Sequence, residues 1–128
     1  MDKEYINNLS KIIVDACFSV HKEFGPGLLE SVYEFALMKE FELRGIEAES
    51  QVPVPLIYKG IKLEKEFKID ILVEKEIVIE IKSVEILLPV HKAQIISYLK
   101  LANKRLGFLV NFNVPLIKHG IKRIVNNF

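Results

Sequence analysis

Apolar residues at Ile6, Leu9, Ile13, Ala16, Cys17, Val20 and Phe24 fall at helical spacing and predict a first amphipathic helix. Gly25-Pro26-Gly27 ends it, because glycine tolerates positive φ and proline cannot donate a backbone hydrogen bond. A second helix is predicted from about Leu28. Leu29, Val32, Ala36 and Leu43 mark its apolar stripe, and Arg44-Gly45 reads as its C-terminal cap. The period then changes to two: Val52, Val54, Leu56 and Tyr58 alternate as in a strand. Pro53 and Pro55 confine that strand to a sheet edge or an irregular stretch. Lys59-Gly60 is a turn, and Ile61 to Glu64 fits a short strand.

Phe67, Ile69, Ile71 and Val73 alternate with Lys68, Asp70 and Leu72, which predicts a half-buried strand. Ile77 to Ile81 is nearly all β-branched and fits a strand covered on both faces. Pro89 suits the first turn of a helix running to about Asn103, with Ile95, Ile96, Leu99 and Ala102 inward. Leu106 to Asn111 is another apolar strand. Gly120 to Val125 fits a last short strand, with helix the alternative. The expectation is one α/β domain over residues 1–128: two helices, a sheet, a crossover helix and a final strand or two.

The remaining composition narrows the class. Half of the 128 residues are hydrophobic, enough for a core without disulfides. The single cysteine, Cys17, sits on an apolar helix stripe and reads as a buried small hydrophobe. The polar start, MDKEYINNLS, lacks a signal-peptide profile, and no apolar run reaches the length of a spanning helix. A cytoplasmic protein with no membrane partner is expected. Lysine and arginine total 18 against 17 acids, so the chain as a whole carries no strongly basic nucleic-acid footprint.

One charged pair stands out. Glu80 and Lys82 are two apart in an otherwise Ile/Val strand and so share a face. A buried charge costs several kcal/mol unless it is paired or bound to a metal. Lys82 is one partner for Glu80 and a cation is another; a plain salt bridge in the sheet is the bland alternative. Glu66-Phe67-Lys68 repeats the pattern in a stretch that looks half exposed, where it should do nothing. If Val73 pairs with Ile77, the connection is Glu74 to Glu76, and Asp70 then faces Glu80. Opposite residues share a face at about 5 Å between Cβ atoms. Two carboxylates so close repel unless a divalent cation bridges them, and hard oxygen ligands suit Mg²⁺ or Mn²⁺. A two-residue loop would instead put Asp70 opposite Ile81, on the wrong face. On the helix after Pro89, Gln94 and Tyr98 are four apart and can orient a phosphate or a water. His91, one turn earlier, reads as a surface or capping residue.

The stretch His21-Lys22-Glu23-Phe24-Gly25-Pro26-Gly27-Leu28-Leu29-Glu30-Ser31-Val32-Tyr33 resembles the signature of the GxxExxY proteins, with Gly27, Glu30 and Tyr33 at its fixed positions. The resemblance continues through Asp70, Glu80-Ile81-Lys82, His91-Lys92-Ala93-Gln94, Tyr98, Asn111-Phe112 and Ile121-Lys122-Arg123-Ile124. It implies a PD-(D/E)xK, restriction-endonuclease-like core, with a mixed central sheet flanked by helices. It implies that Asp70 and Glu80 bind Mg²⁺ or Mn²⁺ and that Lys82 polarises water or stabilises charge on the phosphate. Glu30 would join the metal's hydration shell. Gln94 and Tyr98 match the Gln-x-x-x-Tyr pair of RecB-like nucleases, and His21 and Tyr33 would pack or brace the glycine turn. The activity so implied is hydrolysis of DNA or RNA phosphodiesters. The alternative is a catalytically silent interaction module, as a homodimer, that retains the same residues as an ion network.

Overall fold

The structure is a computed structural model and describes residues 2–128. Helices α1 (Lys3–Phe24) and α2 (Glu30–Leu43) lead into β1 (Ala48–Tyr58), β2 (Ile61–Val73) and β3 (Ile77–Lys82). Helix α3 (Pro89–Leu101), β4 (Leu106–Asn111), a 3-10 turn (Ile117–His119) and β5 (Ile121–Val125) complete the chain. The strands lie in the order β1-β2-β3-β4-β5. β3 and β4 are parallel, joined across the sheet by α3, and every other pair is antiparallel. No helix among the described residues is long and apolar enough to cross a membrane.

The sheet is covered on both faces. On one, Ile6, Leu9, Ile13 and Cys17 of α1 and Leu37 and Phe41 of α2 pack with Ile71, Val73, Ile79, Ile81, Phe108 and Val110. Burial pushes the Cys17 thiol up to about 12, so it packs as an inert hydrophobe. On the other face, Ile95 and Leu99 of α3 pack with Leu72, Val78, Leu109 and Ile124. Gly107 lets α3 come this close: a Cβ there would stand 3.0 Å from Ile95 Cδ1 and 3.2 Å from Leu99 Cδ2. The apolar run Ile77-Val78-Ile79 and Ile81 of β3 follow from this double coverage.

The prolines of β1 are tolerated because β1 is an edge strand. The Lys59-Gly60 turn joins one continuous 13-residue β2, not a short strand followed by a second one. The α2 stripe differs from the expected one. Tyr33, Leu37 and Phe41 are buried, whereas Leu29 is 74% and Leu43 73% exposed. This helix has apolar residues on every side, so periodicity alone does not choose its inner face. Phe24 is exposed at the end of α1, where the chain turns at Gly25.

Two devices hold the helical layer in place. Arg44, at the end of α2, pairs with Glu40 at 2.6 Å and with Asp15 of α1 at 2.8 Å. The Tyr33 hydroxyl donates to the Gly25 carbonyl at 2.6 Å and accepts the Leu28 N–H at 3.1 Å, while its ring stacks on Phe112 at 4.4 Å. Tyr33 therefore braces the glycine turn and sets where α2 begins.

Candidate metal centre

The β2–β3 ladder is short. It pairs Val73 with Ile77, Leu72 with Val78 and Ile71 with Ile79. The three-residue connection Glu74 to Glu76 puts Asp70 beside Glu80. There the ladder stops and side chains take over the backbone groups. Asp70 Oδ2 accepts the Ile81 N–H at 2.8 Å, and Glu80 Oε1 accepts the Asp70 N–H at 3.3 Å. The two strands fork at this point, with two carboxylates in the fork.

Both strands of the first hairpin change faces at the same level. Ile71 and Val73 of β2 belong to the core under α1 and α2, but Ile69 and Phe67 pack on the α3 side. On β1, Ala48 packs with the first core and Val52 and Val54 with the second. Ser50 pairs with Ile71 and Val52 with Ile69, so the break falls at Gln51 and Asp70. Gln51 has φ of 52°, in the left-handed region.

Glu80 is 4% exposed and has no ion-pair partner among the described residues. Its carboxyl is pushed up to about 9, first by burial and then by Asp70; the attraction of Lys82 is the smallest contribution. Lys82 turns elsewhere: its Nζ donates to Gln94 Oε1 at 3.3 Å. Gln94 Nε2 in turn donates to the Tyr98 hydroxyl at 2.8 Å. The Tyr98 ring stacks on Phe67 at 4.0 Å and 10°. Burial and the nearby Glu80 raise the Tyr98 phenol. The salt bridge considered for Glu80 and Lys82 is therefore not formed, and the lysine is held by a neutral relay.

Glu30 lies at the start of α2, where its Oε2 accepts the Ser83 N–H at 3.3 Å, next to Lys82. It is Glu34, one helical turn on, that approaches Asp70. Gln51 Nε2 donates to Glu34 Oε1 at 2.8 Å and to Asp70 Oδ1 at 3.4 Å. Burial, then Asp70, raises the Glu34 carboxyl. Two open grooves flank the site. One of about 480 Å³ is lined by Lys82, His91, Gln94 and Ser97, and one of about 390 Å³ by Leu28, Leu29, Glu30 and Ser83. A larger concavity, of about 550 Å³, lies between α1 and the Pro115–Lys118 segment and touches none of these residues.

The sequence reading missed Glu34, Gln51, Phe67 and Asn111 as site residues. Glu34 carried a signal, since it shares a helix face with Glu30. Asn111 did too, as a polar residue closing an apolar strand. It is 2% exposed and pins the β3–α3 loop through Val84, accepting its N–H at 3.1 Å and donating to its carbonyl at 2.9 Å. His91 caps α3, its Nδ1 accepting the Leu88 N–H at 3.0 Å.

The donor set fits a hard divalent cation. No group of three or more His, Cys, Asp and Glu side chains stands ready to hold a metal among the described residues. Two carboxylates alone suit Mg²⁺, which keeps several waters and takes other ligands from substrate phosphate. A buried, unpaired acid beside a second acid is also what a dication would neutralise.

Comparison with known proteins bears on the family and the fold. No curated protein matches the sequence. The solved structure of SSO0001 matches at 21% identity with a TM-score of 0.59 over 98% of this chain, a likeness of fold. This chain spans 61% of the length of that protein. The family model of the PD-(D/E)XK nuclease superfamily matches residues 7–124. With its mixed five-stranded sheet, its three helices and this match over nearly its whole length, the chain belongs to the PD-(D/E)XK nuclease superfamily.

Proposed function

We propose that this protein is a Mg²⁺- or Mn²⁺-dependent nuclease that hydrolyses phosphodiester bonds in DNA or RNA at Asp70, Glu80 and Lys82. The observation that carries the reading is Glu80: a buried carboxyl next to Asp70, with its own lysine turned away to Gln94. An ion network kept only for stability would place Lys82 on the acids. When bound, the divalent cation neutralises charge on the scissile phosphate and makes water a better nucleophile.

The chain's own residues do the rest. Asp70 and Glu80 supply the oxygen ligands, each anchored by a backbone N–H of the opposite strand. Lys82 presents a fixed positive charge where negative charge develops on the phosphate. Gln94 and Tyr98 hold that ammonium in place, and the Tyr98 O–H, which only accepts from Gln94, is free to donate to a phosphate oxygen or a water. Glu30, whose Oε2 accepts the Ser83 N–H, would join the hydration shell of the cation. A cytoplasmic location and a GxxExxY lineage belong to the same reading, supported by the buried, unpaired Cys17 and the Gly27, Glu30 and Tyr33 positions.

The second reading is a silent interaction module, as a homodimer. The near balance of 18 basic and 17 acidic residues favours it, since duplex binding by phosphate contacts alone draws on a basic face. Cleavage separates the two. Wild type with Mg²⁺ or Mn²⁺ should cut at least one of single-stranded, double-stranded, branched or RNA substrates. Lys82→Ala should lose about a hundredfold or more in rate while still binding the cation. Glu66→Ala and Lys68→Ala should match wild type. Wild type that leaves the whole panel uncut supports the module.

A further inference from the structure

We infer that Gln51 is a positioning residue of this site: its amide bridges the Glu34 and Asp70 carboxylates and so orients Asp70, beside Glu80, for a divalent cation. The inference rests on the metal-site reading above and assigns a role to a residue outside its acid and lysine set.

Three observations carry it. The first is the hydrogen bonding. One nitrogen, Gln51 Nε2, donates to Glu34 at 2.8 Å and to Asp70 at 3.4 Å. It joins two acids on different elements, α2 and β2, that would otherwise repel each other. A neutral amide can do this without competing for the cation's charge, as a lysine would. The second is the backbone. Gln51 is the only β1 residue with positive φ, at 52°. Glutamine has no local preference for that conformation, in contrast to glycine or asparagine, and it costs about 1 kcal/mol or more. Such strain persists where the surrounding structure enforces it, and it gathers at functional sites. The third is position. Gln51 sits opposite Asp70, where both hairpin strands change faces and the β1–β2 pairing skips one residue pair. With ordinary strand alternation from Ala48 the Gln51 side chain would fall on the opposite face, toward α3. The left-handed turn sends it to α2 and Asp70 instead.

The same arrangement explains why Asp70 stays oriented. Asp70 Oδ2 is taken by the Ile81 N–H, and Oδ1 by Gln51. Each oxygen is thus held from a different side, which fixes the plane of the carboxylate next to Glu80. Partners of this kind commonly contribute ten- to a hundredfold in metal affinity.

The substitutions Gln51→Gly and Gln51→Asn separate side chain from backbone. Both residues enter the left-handed region more readily than glutamine, so the fold should keep its melting temperature within a few degrees or gain. Neither reaches both carboxylates. Titration with Mn²⁺ in a calorimeter should show affinity reduced about tenfold or more in both variants relative to wild type. If Gln51 served only the turn, both variants would bind Mn²⁺ as wild type does, and that result overturns the inference while leaving the metal site standing. If wild type itself takes up no Mn²⁺, the metal-site reading fails and this inference falls with it.

Discussion

Replacing Glu80 with glutamine should stabilise the metal-free protein at neutral pH. The side chain keeps its shape, and its Oε1 can still accept the Asp70 N–H. Its amide can donate to the Asp70 carboxylate, where the ionised acid could only repel it. The magnitude follows from the proton. In the native state the Glu80 carboxyl is pushed from its ordinary 4.5 up to about 9, by burial and then by Asp70. The unfolded chain releases that proton near the ordinary value. Between these limits the native state binds more protons than the unfolded state, so stability falls as pH rises. The contribution is intact below about pH 4.5 and is lost progressively on the way to about pH 9. At pH 7 the cost of keeping Glu80 protonated is about 3 kcal/mol, which the glutamine variant avoids. For a domain of this size that corresponds to about 10 °C in melting temperature. Thermal unfolding with a chelator present, for both proteins at pH 4.5, 7 and 9, measures it. The two curves should meet at the acid end and diverge with pH. Equal stability at pH 7, or a difference that does not change with pH, would refute the account of Glu80 as a buried acid without a cation.

Adding Mg²⁺ or Mn²⁺ should raise the melting temperature of wild type by mass action, because the unfolded chain has no comparable site; Asp70→Asn, which loses a charged ligand, should show little or no rise and no cleavage. Lys82→Ala should keep the cation-induced rise while cleavage falls about a hundredfold or more, read from gel-resolved substrate loss. Tyr33→Phe should cost about 1–3 kcal/mol in denaturant unfolding, since the Gly25 carbonyl and Leu28 N–H both lose their partner next to a buried ring.

Much of the site was legible because strand geometry is periodic. Strand parity left two choices, a three-residue connection with Asp70 beside Glu80 or a two-residue one with Asp70 opposite Ile81, and the Val73–Ile77 pairing of the structure selects the first. Edge placement of β1 followed from its prolines, and the Pro89 start of α3 from the missing N–H of proline. What local pattern could not carry was tertiary. The inner face of α2 was misplaced because Phe35 and Leu43 are as apolar as Leu37 and Phe41 yet point outward. The face change at Gln51 and Asp70 depends on how the hairpin folds over α3, where Phe67 meets Tyr98. Nothing in the sequence of β1 marks Gln51 for a left-handed backbone. The partner of Lys82 was likewise decided by the distance of α3 from β3, which Gly107 and the α3 packing set together.

The central claim is that Asp70 and Glu80 together hold a divalent cation. Crystals grown with Mn²⁺ and measured at a wavelength where manganese scatters anomalously test it directly. The account predicts one strong anomalous peak within about 2.0–2.4 Å of an oxygen from each carboxylate, with waters completing the shell. Crystals with ordered Asp70 and Glu80 side chains and no peak between them, or with the Lys82 ammonium in that place, would contradict it.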